Sequence, residues 1–169
     1  MELIELRGTD RDWMPALGEL FFDVIDGGGS LGFLEDTDEA QMREYWESVF
    51  DALGPRQRLW IAREDDHILG TVQLSICGKP NGRHRAEVQK LMVHRDARRR
   101  GVAARLMRTL ELAAREASLT LLVLDTSAQS AAETFYQSQG FLRVGEIPFF
   151  AANPQGALEA TALYWKRIG

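Results

Sequence analysis

A chain of 169 residues in which 45% of positions are hydrophobic and 27% charged is sized and composed to bury one core as one domain, which excludes intrinsic disorder and a membrane-embedded bundle. Its formal net charge of -5 argues against a nucleic-acid partner. One cysteine, Cys77, and three histidines with no i, i+4 pair rule out an internal disulfide and give no metal-ligand spacing.

The longest apolar run, residues 119–124, is too short to span a bilayer, and residues 1–10 lack the basic start and apolar middle of a signal peptide. The expectation is a cytoplasmic protein with no membrane partner, its single domain covering residues 1–169.

Taken in chain order, residues 1–7 alternate as a strand. Thr9 and Asp12 resemble a capping pair for a helix reaching Asp26, which the following glycines end. A second helix is expected from Thr37 to Leu53, closed by Gly54-Pro55. Residues 58–64 and 68–77 read as strands about a tight turn, and residues 84–93 as a third, which makes an antiparallel meander. Val102, Leu106, Leu110, Ala113 and Ala117 then recur at helical steps from Gly101 onward.

Residues 119–125 are almost continuously apolar, as in a strand covered on both faces. Ser130 and Glu133 have capping-box spacing for a short helix ending at Gly140, and residues 141–150 and 157–166 read as two last strands. The order is β-α-α-β-β-β-α-β-α-β-β. It predicts an α/β (α+β) fold with seven strands, four helices packed on the sheet, and a right-handed parallel crossover near residues 85–125.

Residues 94–107 concentrate five arginines in this acidic chain. A glycine that opens a helix just after a strand leaves the first backbone N–H groups outward and unpaired, and the helix dipole adds about half a positive charge there. That end suits a phosphate. Gly101 lets the backbone approach closely, Ala103 keeps the next side small, and Arg98, Arg99 and Arg100 ring the spot. The dipole contributes about 0.3–2 kcal/mol and each charge-assisted bond about 1.5–3, against about 8 for micromolar binding. Several contacts must therefore act together.

The run Arg98-Arg99-Arg100-Gly101-Val102-Ala103 resembles the R/Q-x-x-G-x-G/A motif of the GNAT acyltransferases, in which it grips the pyrophosphate of acetyl-CoA. Ala132, Phe135-Tyr136 and Gly140-Phe141 resemble a second block of that family. Over nearly the whole chain, GGGSLGFLED, KPNG, RAEVQKLMV, LDT and the Tyr-Trp-Lys end are similar to the tabtoxin-resistance acetyltransferases. One departure is Gln129, where many relatives place an asparagine against the CoA arm.

The resemblance implies a GNAT-like mixed, mostly antiparallel sheet and acetyl-CoA (CoA) as cofactor. Leu91, Met92, Val93, Arg98, Arg99, Arg100, Gly101, Val102, Ala103 and Gln129 are the implied cofactor-binding residues. The backbone N–H groups of Met92 and Val93 would polarise the thioester carbonyl, and a bulge in their strand would admit the pantetheine. An alkylammonium must lose a proton before attack, at a cost of about 4.6 kcal/mol at pH 7. Glu87, ranked first, and Asp125 are the candidate bases, and Tyr136 the candidate acid for the departing thiolate.

Each residue also has a plain structural reading. Glu87 could pair with Arg85 or a cross-strand cation, Asp125 could cap a turn, and Tyr136 could be core. Phe33, Tyr45, Trp46 and Phe149 are candidate walls for a small amine or amino-acid-like acceptor, with residues 27–33 as a mobile loop beside it. The alternatives to an enzyme are a CoA-binding module without turnover and, less in keeping with the charge, a nucleic-acid binder. Toxin or antibiotic resistance is a conceivable role, and both monomer and homodimer stay open.

Overall fold

A computed structural model describes residues 1–169. In chain order the strands are β1 (Glu2–Leu6), β2 (Gln57–Glu64), β3 (His67–Ile76), β4 (Arg85–Val93), β5 (Leu121–Ser127), β6 (Leu142–Ala152) and β7 (Leu158–Arg167). The helices are α1 (Met14–Asp26), α2 (Glu39–Ala52), α3 (Val102–Glu116) and α4 (Ala131–Ser138). All seven strands form one sheet in the order β1-β2-β3-β4-β5-β7-β6. Only β4 and β5 run parallel, as a strand-helix-strand crossover through α3 requires. The expected architecture is the observed one.

Two apolar layers sandwich the sheet. Residues Val102, Leu106, Leu110 and Ala113 of α3 pack with Ala86, Val88, Leu122, Leu124 and Tyr164 on one face. On the other, Leu17, Leu20, Phe21 and Val24 of α1 and Trp46 and Phe50 of α2 pack with Leu59, Ile61 and Met92. Each fully buried side chain of this size contributes about 1.5–3 kcal/mol.

Strand β4 feeds both layers because its alternation is reset. Gln73 faces Gln89 while Thr71 faces Met92, so β4 holds one residue more than β3 over that interval, and Lys90 takes a φ of 50°. This is a β-bulge. Ala86 and Val88 before it, and Leu91 and Val93 after it, face α3, whereas Met92 enters the α1/α2 layer. The signal was present in the sequence: apolar positions 86, 88, 91 and 93 are spaced two, three and two.

Several local expectations are corrected. Helix α1 begins at Met14, with Pro15 in its first turn and no side-chain cap; a short 3-10 turn, Arg11–Trp13, precedes it. Asp10 instead accepts from the Arg7 N–H at 2.8 Å. The capping box lies at α2, between Asp38 and Gln41. At α4 the Ser130 hydroxyl donates to the Ser127 carbonyl at 2.7 Å, and Glu133 reaches past it to accept from the Gln129 N–H at 2.6 Å. Strand β5 is covered on one face only: Leu122 and Leu124 are buried, Val123 is half-buried and Asp125 exposed.

Candidate active site

Strands β4 and β5 pair at three positions, Arg85 with Leu121, Ala86 with Leu122 and Glu87 with Val123, and then diverge. Glu87 therefore stands where the two strands part, and Asp125 follows two residues later on the β5 arm. Just beyond β4 the His94 N–H donates to the Leu69 carbonyl of β3 at 2.9 Å. Strand backbones alternate in direction, so the Met92 N–H also turns to β3, opposite Thr71, while the Val93 N–H faces the opening. Of the two expected carbonyl-polarising donors, only Val93 is placed to reach the gap. Leu91 packs against the α3 layer.

Helix α3 begins beyond the end of β4 at which the two strands part. Gly101 is its N-cap, in the left-handed region at φ 76°, and a side chain there would meet nothing within 4 Å. The first intrahelical bond runs from the Arg105 N–H to the Gly101 carbonyl, 3.1 Å, which leaves the Val102, Ala103 and Ala104 amides without a partner inside the helix. Val102 turns its side chain into the core at 2% exposure, so it can offer a ligand only its backbone. Gly70 of β3 brings this corner close to the sheet, since a Cβ there would lie 2.6 Å from the Met92 carbonyl oxygen and 3.0 Å from Val102.

The arginines divide into two sets. Arg100 is held by the Glu64 carboxylate at 2.8 and 2.9 Å, and Arg95 binds the Asp23 carboxylate of α1 through its side chain and, at 2.9 Å, its N–H. These two brace the loop. Arg98 and Arg99 enter no ion pair, and Arg98 lies beside Gly27 at the end of α1. Arg98, Arg99 and the first α3 amides are thus left uncommitted, while Arg100 is tied to Glu64. Ala103 is half-buried, and Gln129, at φ 61°, is exposed at the head of α4. Neither Gly70 nor Asp23 was marked by the sequence, because each acts only through a distant segment.

Glu87 and Asp125 form no ion pair with any cation, so neither Arg85 nor a cross-strand residue claims them. Both line a cleft of ≈ 360 Å³ whose other walls are apolar, among them Val123, Leu163, Trp165, Val144 and Phe150. Tyr136 is 8% exposed, and burial, helped by the nearby Asp125 charge, pushes its phenol up to about 12. Handing a full proton to a thiolate near 8.5 would then be uphill by about 5 kcal/mol rather than the ~2 of an ordinary phenol.

The expected acceptor walls separate. Trp46 is fully buried in the α1/α2 layer and lines nothing. Phe33 and Tyr45 pack edge to face, 5.2 Å apart, and the Lys90 ammonium sits 5.7 and 5.8 Å from their ring centres. Lys90 also donates to the Leu31 carbonyl, tying the glycine-rich segment to the bulge. Burial lowers its pKa, while Asp125 and Glu87 act to raise it. Phe149 is 76% exposed on β6; its neighbour Phe150 is the one that lines the cleft.

All three tyrosines are held above their ordinary value. Tyr45 is pushed up to about 12 by burial, against the opposing effect of the Gln73 hydrogen bond; Tyr164 is raised by burial and then by its bond to Glu133. For Tyr45 and Tyr136 the folded pKa exceeds the unfolded value of about 10, so their contribution is full below pH 10 and lost as the pH rises toward 12. Each is expected to remove about 3 kcal/mol of stability over that interval. Urea unfolding across it should show the slope, and Tyr136→Phe should reduce it. An ultraviolet titration of the native protein should show no phenolate near pH 10.

Residues 29–141 match the Acetyltransferase (GNAT) family. A probable N-acetyltransferase family 8 member 5 of Mus musculus is 32% identical over 141 residues, covering 79% of this chain and 61% of the relative. N-acetyltransferase 8 of Rattus norvegicus is 37% identical over 89 residues, 52% of this chain and 40% of the relative. The chain thus spans about half the length of the curated relatives it matches. An N-acetyltransferase from Staphylococcus aureus Mu50 superposes with a TM-score of 0.80 at 16% identity, covering 100% of both chains. The Salmonella typhimurium putative acetyltransferase yncA, solved with acetyl-CoA, gives 0.77 at 16%, covering 100% of this chain and 95% of that one. With the family match spanning more than half of its length, this chain belongs to the GNAT acetyltransferase family.

Proposed function

We propose that this chain transfers an acetyl group from acetyl-CoA directly to the amine of a small molecule. The observation that carries the reading is the parting of β4 and β5 just beyond Glu87, which opens the sheet beside the two unpaired carboxylates at the strand end from which the chain runs on to Gly101. The cofactor fits the residues present: the first α3 amides have no partner inside the helix, two nearby arginines are unpaired, and a Cβ at Gly101 would meet no atom. When bound, it supplies an activated acyl group and a thiolate leaving group.

The chain's own residues then have distinct tasks. Arg98, Arg99 and the first α3 amides hold the anion. The Val93 N–H polarises the carbonyl in the slot. Glu87, or Asp125 beside it, removes the proton from the acceptor ammonium, and Tyr136 donates a hydrogen bond where the sulfur departs. Cys77 stands apart from all of these, so no covalent enzyme intermediate is needed.

The acceptor is a small amine or amino-acid-like compound. The resemblance to the tabtoxin-resistance enzymes supports a protective role, which a survival assay of cells expressing the chain would test. For the reaction itself, thiol release from acetyl-CoA is measured with and without a panel of primary amines. The expected result is amine-dependent release; cofactor binding with no release from any amine would reduce the chain to a CoA-holding module. The brace between Arg95, Arg100 and their carboxylates weakens the nucleic-acid reading further, since it takes two of the five clustered arginines and leaves Arg98, Arg99 and Arg105 without an ion pair.

A further inference from the structure

We infer that the acceptor is a primary amine carried on an apolar body of about aromatic size, with no carboxylate beside the amine. This rests on the amine-transfer reading above and names its substrate class. Strand β5 has the nearly continuous apolar sequence of a strand covered twice, yet nothing in this chain covers its second face. Val123 on that face, with Leu163 and Trp165 of β7 and Val144 of β6, forms one wall of the cleft. An exposed concave apolar surface of this kind marks a ligand site.

Strand β6 completes it by leaving its register. Between Ile147 and Ala151 it carries more residues than β7 opposite, and Phe149 is held at φ 54°. A bulky residue rarely adopts that backbone, and persists there only where the surroundings dictate it. The excursion seats Phe150 on the cleft. The α1–α2 segment meets the same hairpin, since the Glu35 N–H donates to the Pro154 carbonyl at 2.8 Å.

Charge decides the remaining point. Glu87 and Asp125 are the charged residues of the cleft and no cation lines it; Arg143 is paired with Glu133 and Glu146 and Lys166 with Glu111, while Lys90, bonded to the Leu31 carbonyl, and Arg85 keep their charge outside the lining. An ammonium entering the cleft meets its complement. A carboxylate meets two like charges and no cation in the lining.

The test compares 2-phenylethylamine with phenylalanine, which adds only a carboxylate, and with propylamine, which lacks the ring. In steady-state thiol release, kcat/KM for 2-phenylethylamine is expected to exceed that for phenylalanine by at least about tenfold and that for propylamine by about 30-fold. Phe150→Ser should cut the first value about tenfold while leaving acetyl-CoA affinity unchanged. A calorimetric titration of the CoA complex supplies a readout independent of turnover: 2-phenylethylamine binds and phenylalanine does not. Equal or better use of phenylalanine or propylamine overturns the inference and leaves amine transfer standing. Absence of release with every amine removes the transfer reading, and the calorimetric comparison then decides this one separately.

Discussion

Gly101→Glu is expected to weaken acetyl-CoA binding at least about 1000-fold, beyond detection for a micromolar site. Two separable costs add. At φ 76° any residue with a Cβ is strained by about 1–2 kcal/mol, and Gly101→Ala isolates that cost because its methyl group would touch nothing. The glutamate then sets a carboxylate at the amides of Val102 and Ala103, replacing charge-assisted bonds of about 1.5–3 kcal/mol each with repulsion. Calorimetry on the wild type, the Ala variant and the Glu variant should give three distinct affinities, the Ala variant within about 30-fold of the wild type. Near-normal affinity in the Glu variant would remove the phosphate cradle from α3.

Glu87→Gln is expected to lower kcat about 100-fold or more, the lower end of what a positioned general base contributes, with acetyl-CoA affinity unchanged. The substitution is clean because Glu87 has no ion pair to orphan, so the melting temperature should hold. The glutamine keeps the shape and loses the proton acceptor. Asp125→Asn is the necessary companion: if it takes the large loss and Glu87→Gln stays within a few fold, the proton passes to β5 instead. Measuring kcat separately from KM distinguishes a lost base from a lost acceptor contact.

The parts of the molecule that were legible in the sequence are those written in local pattern. The seven strands and four helices follow from alternation, helical spacing and glycine breaks, and the α3 corner from a glycine set among arginines after a strand. What escaped depends on competing partners, some close by and some far along the chain. The Ser130 and Glu133 spacing suggested a mutual cap, but Ser127 and Gln129 offered each a nearer bond. Trp46 looked like a pocket wall, yet the amphipathic stripe of α2 turns it inward. Residues 119–125 looked doubly covered because apolar composition cannot tell a protein neighbour from a ligand. Arg100 counted as an anion ligand until Glu64, more than 30 residues away, was brought beside it.

Because Lys90 resets the alternation of β4, this strand is cut to a fixed length. Drop one residue there and Met92 would trade places with Val93, one layer losing its filler while the other received a surplus. Loops absorb such edits at little cost; here both halves of the molecule would feel one. A change in the number of residues is thus borne by the turns, and the span between Glu87 and Val93 sets the spacing of the molecule.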